Sequence, residues 1–520
     1  MAFTAFATTA AAENENTYYA DASASGEECT QAEPCPTIGQ ALAKVRNKTG
    51  GAVFVAPGEY RELVRIGKHG GGPGQYLNII GIKDANGNRP LITPPGGHYE
   101  ISKKSDWLVW LLGSYIKFSG FEVAYSTASK GINMGGSLQH DNVVEDNKVH
   151  HIGGSGIWCE GNVIHAVPTM DTNCLMKNNE VYFTVGSYCQ YNTDDANPAC
   201  IAELLPDSQH TTDGKTGKVP ADWYPKGYWG PSLTCGNTRH CHAIGNKVHG
   251  NFGEGIAITA NIEGEISGNI IYDNNRPQLY ISNTTYNKVF SNLVYVSTEH
   301  QYYQSKRYYD GEPPSIGLAD DWLCFCGLPK ADDANWPDAL SGPEGLNGHD
   351  NLIYNNLVYG GYIALYDWFS IKNVGLKNTR VFNNTFVNAP LSIAESGEVK
   401  DIKINHFNSV ISNNIFINGP KKPRLDKRVD VIQGVSFKNN LWQETPEEYA
   451  LYKELADSND IVANSGLDIK PPAPGSLSAE NFKLPADSPA KGKGLPQPEL
   501  NSDFQGTKRN TEHPTIGAIE

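Results

Sequence analysis

Short apolar runs rich in Val, Ile and Tyr alternate along this chain with polar turns, and one turn keeps the same residue from repeat to repeat. Aligning VVEDNKVHHIGGSGIWCEG, HAIGNKVHGNFGEGIAITA, EISGNIIYDNNRPQLYISN, KVFSNLVYVS, LIYNNLVYGGYIALYD, RVFNNTFVNAPLSIAES and VISNNIFINGP superimposes Asn147, Asn246, Asn269, Asn292, Asn356, Asn384 and Asn414. Asn179, in MKNNEVYF, joins the column, and Asn440 extends it. The cleanest spacings are 23, 28 and 30 residues, each enough for three short strands and their turns. Coils of three strands stack strand over strand at about 4.8 Å, as parallel sheets do. An asparagine at one turn then bonds its own backbone and the asparagines above and below. The pattern predicts an all-β chain, a right-handed parallel β-helix with an internal Asn ladder. A leucine-rich repeat would need Leu at fixed positions and a helical half, and an antiparallel sandwich would not hold one turn residue in register.

The ladder also orients side chains, because strand residues alternate between faces. Lys148, Val149 and His150 are expected to point out, in and out. On the strand that follows, Ile157 and Cys159 point in, Trp158 and Glu160 out. Likewise Ala257 and Thr259, Tyr280 and Ser282, and Ala364 and Tyr366 face out. This third strand precedes the variable loops, so it is the face on which a site is expected.

Two terminal stretches carry a family resemblance. YYADASASGEECTQAEPCPTIGQALAKV followed by GGAVFVAPGEYRELVRI resembles the N-terminal cap of secreted parallel β-helix proteins of the pectate-lyase-like superfamily: a strand, a short amphipathic helix, then a first coil with its PGxY turn. NFKLPADSPAKGKG and DFQGTKRNTEHPTIGAIE resemble the closing segment of many members. The resemblance implies a polysaccharide-active protein and spans nearly the whole chain. Its motifs concern folding and name no reaction, and neither an aspartate run like the pectate-lyase calcium site nor the DPHD motif of mannuronan epimerases is present. Residues 1–16 read as a possible signal remnant or disordered start and 17–520 as a single β-helix domain, with long loop inserts at about 185–240 and 297–349 and a closing segment at about 446–520. Residues 446–460 read as a helix, with Pro at its start and acidic residues in the first turn.

Composition narrows the setting. A formal charge of −15 argues against nucleic acid as a general partner, although a local basic patch can still hold an anionic sugar chain. Ten cysteines, with Cys29 near Cys35, Cys235 near Cys241 and Cys324 near Cys326, favour an oxidising compartment, so the chain is expected to be secreted or periplasmic. Unpaired buried thiols are the alternative, under which Cys159, inside an apolar run, is the first candidate for a free one; Cys174 and Cys241 have Cys189, Cys200 and Cys235 as candidate partners. No apolar stretch reaches the length that spans a bilayer. A monomer is expected.

Three chemistries suit the face. The preferred one is a lyase acting on a uronic-acid polysaccharide, in which a base removes the proton beside the carboxylate and cations stabilise the charge that develops. His249, Arg276, Tyr280, Lys306 and Arg307 are the candidate catalytic group. His249 shares its column with His150, Tyr272, Tyr295 and Tyr359, so a structural ring stack is the alternative for it. Substrate contacts are expected from Trp158, Glu160, Tyr302, Tyr303, Tyr366, Asp367 and Glu395, the aromatics through their apolar faces. The second chemistry is glycoside hydrolysis, which needs two carboxyl groups roughly 5 to 9.5 Å apart. Asp367 and Glu395 follow corresponding strands of successive coils and are the candidate pair. The third reading is a non-catalytic, adhesin-like carbohydrate-binding surface. No cofactor is implied with certainty. Calcium stays a candidate, and the acidic pairs Asp194/Asp195, Asp320/Asp321 and Asp332/Asp333 carry no ligand spacing that singles them out.

Overall fold

The computed structural model describes residues 16–46, 50–67, 70–98, 107–126, 130–135, 138–161, 163–164, 167–168, 172–185, 230–298, 313–320, 348–369, 374–393, 397–399, 402–417, 433–443 and 457–520. They form short strands that return every coil to the same three positions, and the strands at each position pair in parallel. This is the parallel β-helix that the asparagine column predicts. Contacts divide the chain into two compact units, residues 1–162, 170–235 and 240–253 in the first and 163–169, 236–239 and 254–520 in the second.

In the first unit, the first sheet runs through Gly51–Val55, Leu77–Gly81, Ile116–Ser119, Val143–Glu145, Leu175–Lys177 and His242–Ile244. The second sheet runs through Gly58–Arg61, Pro90–Thr93, Glu122–Ser126, Lys148–Ile152, Glu180–Tyr182 and Lys247–His249. The third holds Val64–Ile66, Trp107–Leu111, Lys130–Asn133 and Ile157–Glu160, followed by the start of Pro231–Arg239. Strand Thr17–Ala20 pairs with Gly51–Val55, and helix Ile38–Lys44 caps that end as expected. Thr37 Oγ1 accepts the Gln40 N–H at 3.1 Å, and the Glu62 carboxylate accepts those of Ile38 and Gly39 at 2.8 and 2.9 Å, which satisfies orphan donors of the first turn. Inward columns such as Val123, Val149, Val181 and Val248 are wholly buried.

The second unit repeats the plan. Its third sheet holds Glu254–Ile262, Leu279–Ser282, Ile316–Asp320, Ile363–Phe369 and Leu391–Ile393. Its second-sheet column Tyr272, Tyr295 and Tyr359 is covered by Leu467, Leu477, Phe482, Ile516 and Ile519 of the closing segment, so that face is core.

The turn between first and second strands explains the ladder. Its first residue takes the left-handed conformation, with φ of 53° at Asp146, 54° at Asn178, 67° at Gly245, 52° at Asn355 and 54° at Asn413. Gly, Asn and Asp tolerate that region best. The next residue is the buried ladder asparagine. Asn179 donates its backbone N–H and one Nδ2 hydrogen to Asn246 Oδ1, both at 3.0 Å, and its other Nδ2 hydrogen to Val144 O at 2.9 Å. The same bonds join Asn292, Asn356, Asn384, Asn414 and Asn440 in the second unit. Asn440 therefore does extend the column, and Asp460 Oδ1 accepts its N–H at 2.7 Å.

Several expectations are corrected. A second turn column precedes the first strand: Asn142, Cys174 and Cys241 in one unit, Asn287, Asn351, Thr379 and Ser409 in the other. The end of the first insert is strand Pro231–Arg239, and the second insert contains strand Ile316–Asp320, because the coils there still need their third strand. Cys159 is not free; it contacts Cys174. Residues 457–460 form a turn, whereas 444–456 lie outside the described residues.

Candidate functional site

On the outward face of the third sheet in the first unit, consecutive coils align Arg65 with Trp110, Trp110 with Asn133, and Asn133 with Trp158. Parallel pairing spaces these residues by about 4.8 Å, so Trp110 and Trp158 stand about 10 Å apart with an amide between them. Arg65 lies 5.8 Å from the Trp110 ring centroid and donates to Trp107 O at 2.7 Å. Three residues back along the same strands, Lys130 pairs with Trp107.

Lys130 is the chemical centre of this face. Its ammonium sits 4.9 Å from the Trp107 ring centroid and 5.2 Å from that of Trp158, and the two indoles are 6.4 Å apart. Cation–π attraction holds it there. Burial pushes its pKa below the ordinary lysine value, and the nearby Glu160 charge opposes that shift. The Trp158 Nε1–H donates to Glu160 Oε2 at 3.0 Å, which fixes the indole and turns the exposed carboxylate beside it. The group thus combines the buried Trp107 indole, the half-buried indoles of Trp110 and Trp158, two cations, an amide and a carboxylate. Aromatic faces suit the C–H faces of sugar rings, and the cations suit a negative charge.

Of the expected substrate contacts, Trp158 and Glu160 belong to this group. Arg65, Trp107, Trp110, Lys130 and Asn133 were missed. Their three coils lack a ladder asparagine, since Gly58, Pro90 and Phe121 stand in that place, and counting from the ladder therefore starts too late. The signal that was available is the left-handed Gly120 just before Phe121, together with the run WLVW at residues 107–110.

The neighbouring second sheet does different work, as the column of His150, Tyr182 and His249 shows. Its rings stack with centroids 4.7 and 5.2 Å apart. Beside them Glu122, Lys148, Glu180 and Lys247 alternate in sign on successive coils. His249 Nε2 lies 3.3 Å from Glu180 Oε1, and Lys247 Nζ lies 2.9 Å from it. The structural ring stack is what His249 forms. The hydrogen bond from His249, with Lys247 beside it, lowers the Glu180 carboxyl pKa to about 2 against the usual 4.5. A depressed carboxyl stabilises the fold above its unfolded value and loses that contribution as pH falls through the folded one. The thermal midpoint is therefore expected to fall between pH 4.5 and about 2, and Glu180→Gln to flatten that part of the profile. Circular dichroism melts across this range check it; an unchanged slope in the variant would refute the ladder's contribution.

The other expected catalytic residues lie in the second unit. Arg276 is 2% exposed, in a turn where Gln278 Oε1 accepts Asn274 N and Nδ2 at 2.9 and 2.8 Å. Tyr280 is 7% exposed and packs with Ala257 and Ala319. Tyr366, expected to face out, is buried instead: a shift in strand register follows Leu318, and the Tyr366 backbone is left-handed at φ 60°. Its hydroxyl donates to Asp320 Oδ1 at 3.4 Å, which also accepts the Gly348 N–H at 2.8 Å. Burial, with the Asp320 charge, drives the Tyr366 hydroxyl well above the usual tyrosine pKa. Lys306, Arg307, Tyr302, Tyr303 and Glu395, and the side chain of Asp367, lie outside the described residues, as do Asp194, Asp195, Asp321, Asp332 and Asp333. Among the described residues the close group of metal-ligating side chains is Cys159, Cys174 and Cys241 rather than a set of carboxylates. No described helix is long and apolar enough to cross a membrane.

No protein-family model matches the chain, and no curated protein matches it. Solved structures do. A complex of XylC with xylose is 12% identical with a TM-score of 0.51, over 97% of this chain and 98% of that one. Pectate lyase Pel9A is 10% identical with a TM-score of 0.43, over 97% and 96%. A rhamnogalacturonan lyase is 14% identical with a TM-score of 0.38, over 95% and 99%. The chain shares the parallel β-helix fold.

Proposed function

We propose that this protein is a secreted or periplasmic polysaccharide-degrading enzyme, a lyase that cleaves a uronic-acid-containing chain by β-elimination. The observation that carries this reading is Lys130, an ammonium held between Trp107 and Trp158 with a lowered pKa and Arg65 on the same face. Sugar rings stack on the accessible indole faces of Trp110 and Trp158. Arg65 draws the uronate carboxylate and offsets the charge that develops on it. Neutral Lys130 takes the proton from the carbon beside the carboxylate; that electron pair forms the carbon–carbon double bond as the glycosidic oxygen leaves and collects a proton. Glu160 holds Trp158 in place, and the Lys130 ammonium formed by the proton transfer is the donor to the leaving oxygen.

The test is to offer alginate, pectate, glycosaminoglycans and neutral glycans while following ultraviolet absorbance and reducing ends together. Both signals are expected to rise on one acidic polymer. Reducing ends without absorbance would mean hydrolysis, with Asp367 and Glu395 the first pair to examine. Binding without either signal would mean a carbohydrate-binding surface. Trp158→Ala is expected to raise KM about tenfold, the equivalent of losing one stacked ring at about 1.4 kcal/mol. An unchanged KM would remove the indole from the site.

A further inference from the structure

Cys159, Cys174, Cys235 and Cys241, all in the first unit and at most 1% exposed, bring their sulfurs together inside the coils. Cys159 and Cys235 come from neighbouring third strands. One coil before Cys159 the same inward column holds Met134. Cys174 and Cys241 stand one coil apart in the turn column that begins with Asn142. An apolar column and an amide column therefore both change to cysteine in the same part of the fold.

Among these four sulfurs the pairing follows from valence; Cys189 and Cys200 lie outside the described residues. Cys174 contacts both Cys159 and Cys241, and Cys241 contacts both Cys174 and Cys235. A sulfur makes one disulfide, so these three contacts hold at most two bonds, and the choice that uses all four sulfurs is Cys159 with Cys174 and Cys235 with Cys241. The Cα atoms are 7.0 Å apart in Cys159 and Cys174 and 6.2 Å in Cys235 and Cys241; those of Cys174 and Cys241, which the stacking of coils brings together in any case, are 4.6 Å apart. The competing occupant is a soft divalent metal, since the sulfurs of Cys159, Cys174 and Cys241 lie within 4.8 Å of one another. Four thiolates about such an ion keep a net double negative charge in a buried place, with Met134 one coil before Cys159, and desolvation opposes it. Two disulfides are neutral.

We propose that these cysteines form two buried disulfides, Cys159–Cys174 and Cys235–Cys241, and that the first positions the strand bearing Trp158 and Glu160. The positioning clause rests on the site proposed above; the bonds themselves do not. Each bond forms by exchange with an external protein disulfide. One cysteine thiolate attacks it and expels a thiolate; the second cysteine then attacks the mixed disulfide and expels the other. Two electrons pass to the oxidant, and the two protons go to solvent or to the released thiolates.

Alkylating the full chain in denaturant without reduction, then mapping peptides, tests the bonds. The expected map shows Cys159 joined to Cys174 and Cys235 to Cys241, with none of the four alkylated. Four alkylated thiols together with about one zinc per chain by plasma emission would overturn the proposal in favour of a metal centre; a Cys174–Cys241 link, or a link from any of the four to Cys189 or Cys200, would overturn the pairing. The double variant Cys159→Ser with Cys174→Ser should keep the other crosslink, melt at lower temperature and show a raised KM. Correct crosslinks with an unchanged KM would leave the bonds standing and remove the positioning role. Absence of activity in the correctly crosslinked wild type would instead count against the enzyme reading.

Discussion

Lys130→Met is expected to lower kcat by about 10² to 10⁴, the usual range for removing a positioned general base. Methionine keeps an apolar chain between Trp107 and Trp158, so the change removes the amine with little loss of packing. The lost cation–π attraction is worth about 1 kcal/mol, which limits the stability change. Lys130→Arg separates two roles of the lysine. A guanidinium keeps the charge and the stacking but stays protonated, so KM for the acidic polymer should change little while kcat falls nearly as far. The wild-type rate should rise with pH as the amine loses its proton, with a limb below the ordinary lysine value of 10.5. Steady-state kinetics across pH read all three quantities. Wild-type kcat in Lys130→Met would show that the base lies elsewhere, and the basic loop residues Lys306 and Arg307 would then be the next to replace.

Asn356→Leu should cost about 4 kcal/mol of stability, the largest effect expected from a single ladder position. Asn356 Oδ1 accepts both the N–H and an Nδ2 hydrogen of Asn292, at 3.1 and 3.0 Å, and its own Nδ2 donates to Val289 O at 3.0 Å and Asn384 Oδ1 at 2.9 Å. Leucine removes every one of these side-chain bonds and leaves buried groups on both neighbouring coils without partners, each costing about 1 to 3 kcal/mol. Position in the column sets the size of the effect. Phe121 occupies the same column in the first unit and is tolerated because it is a terminal rung: the one bond it makes to a ladder amide uses its backbone N–H, donated to Asn147 Oδ1 at 3.0 Å. Denaturant midpoints for Asn356→Leu measure the loss; a change below about 1 kcal/mol would mean the ladder amides are dispensable.

The fold was legible because one residue type does one job in every coil. A left-handed residue followed by a buried asparagine leaves the same mark from Asn147 to Asn414, whatever lies between. The second turn column has an equivalent place in the coil yet is filled by Asn142, Cys174, Asn287, Thr379 and Ser409 in turn, and residues that differ in kind hide a shared position. Most of the site was hidden in the same way. Trp158 and Glu160 follow a ladder asparagine and were found by counting; Trp110 and Lys130 precede the first one. Tyr366 failed for another reason. Alternation assumes an unbroken strand, and a register shift with a left-handed residue turns its ring into the interior. Cys159 was the first candidate for an unpaired thiol because its partner is set by how coil corners meet, which sequence distance does not encode.

The rungs of the ladder are indifferent to how much chain separates them. Asn179 reaches Asn246 across 67 residues, and Asn269 reaches Asn292 across 23, yet the backbone-to-amide bonds measure 3.0 and 3.1 Å. Each coil is therefore gauged at one corner and free in length at another. Evolution can lengthen, trim or exchange the segment between rungs without resetting the strands on either side, much as a shelf can be loaded without moving its brackets. A scaffold of this kind lets substrate preference drift quickly on loops while the cost of each trial stays local.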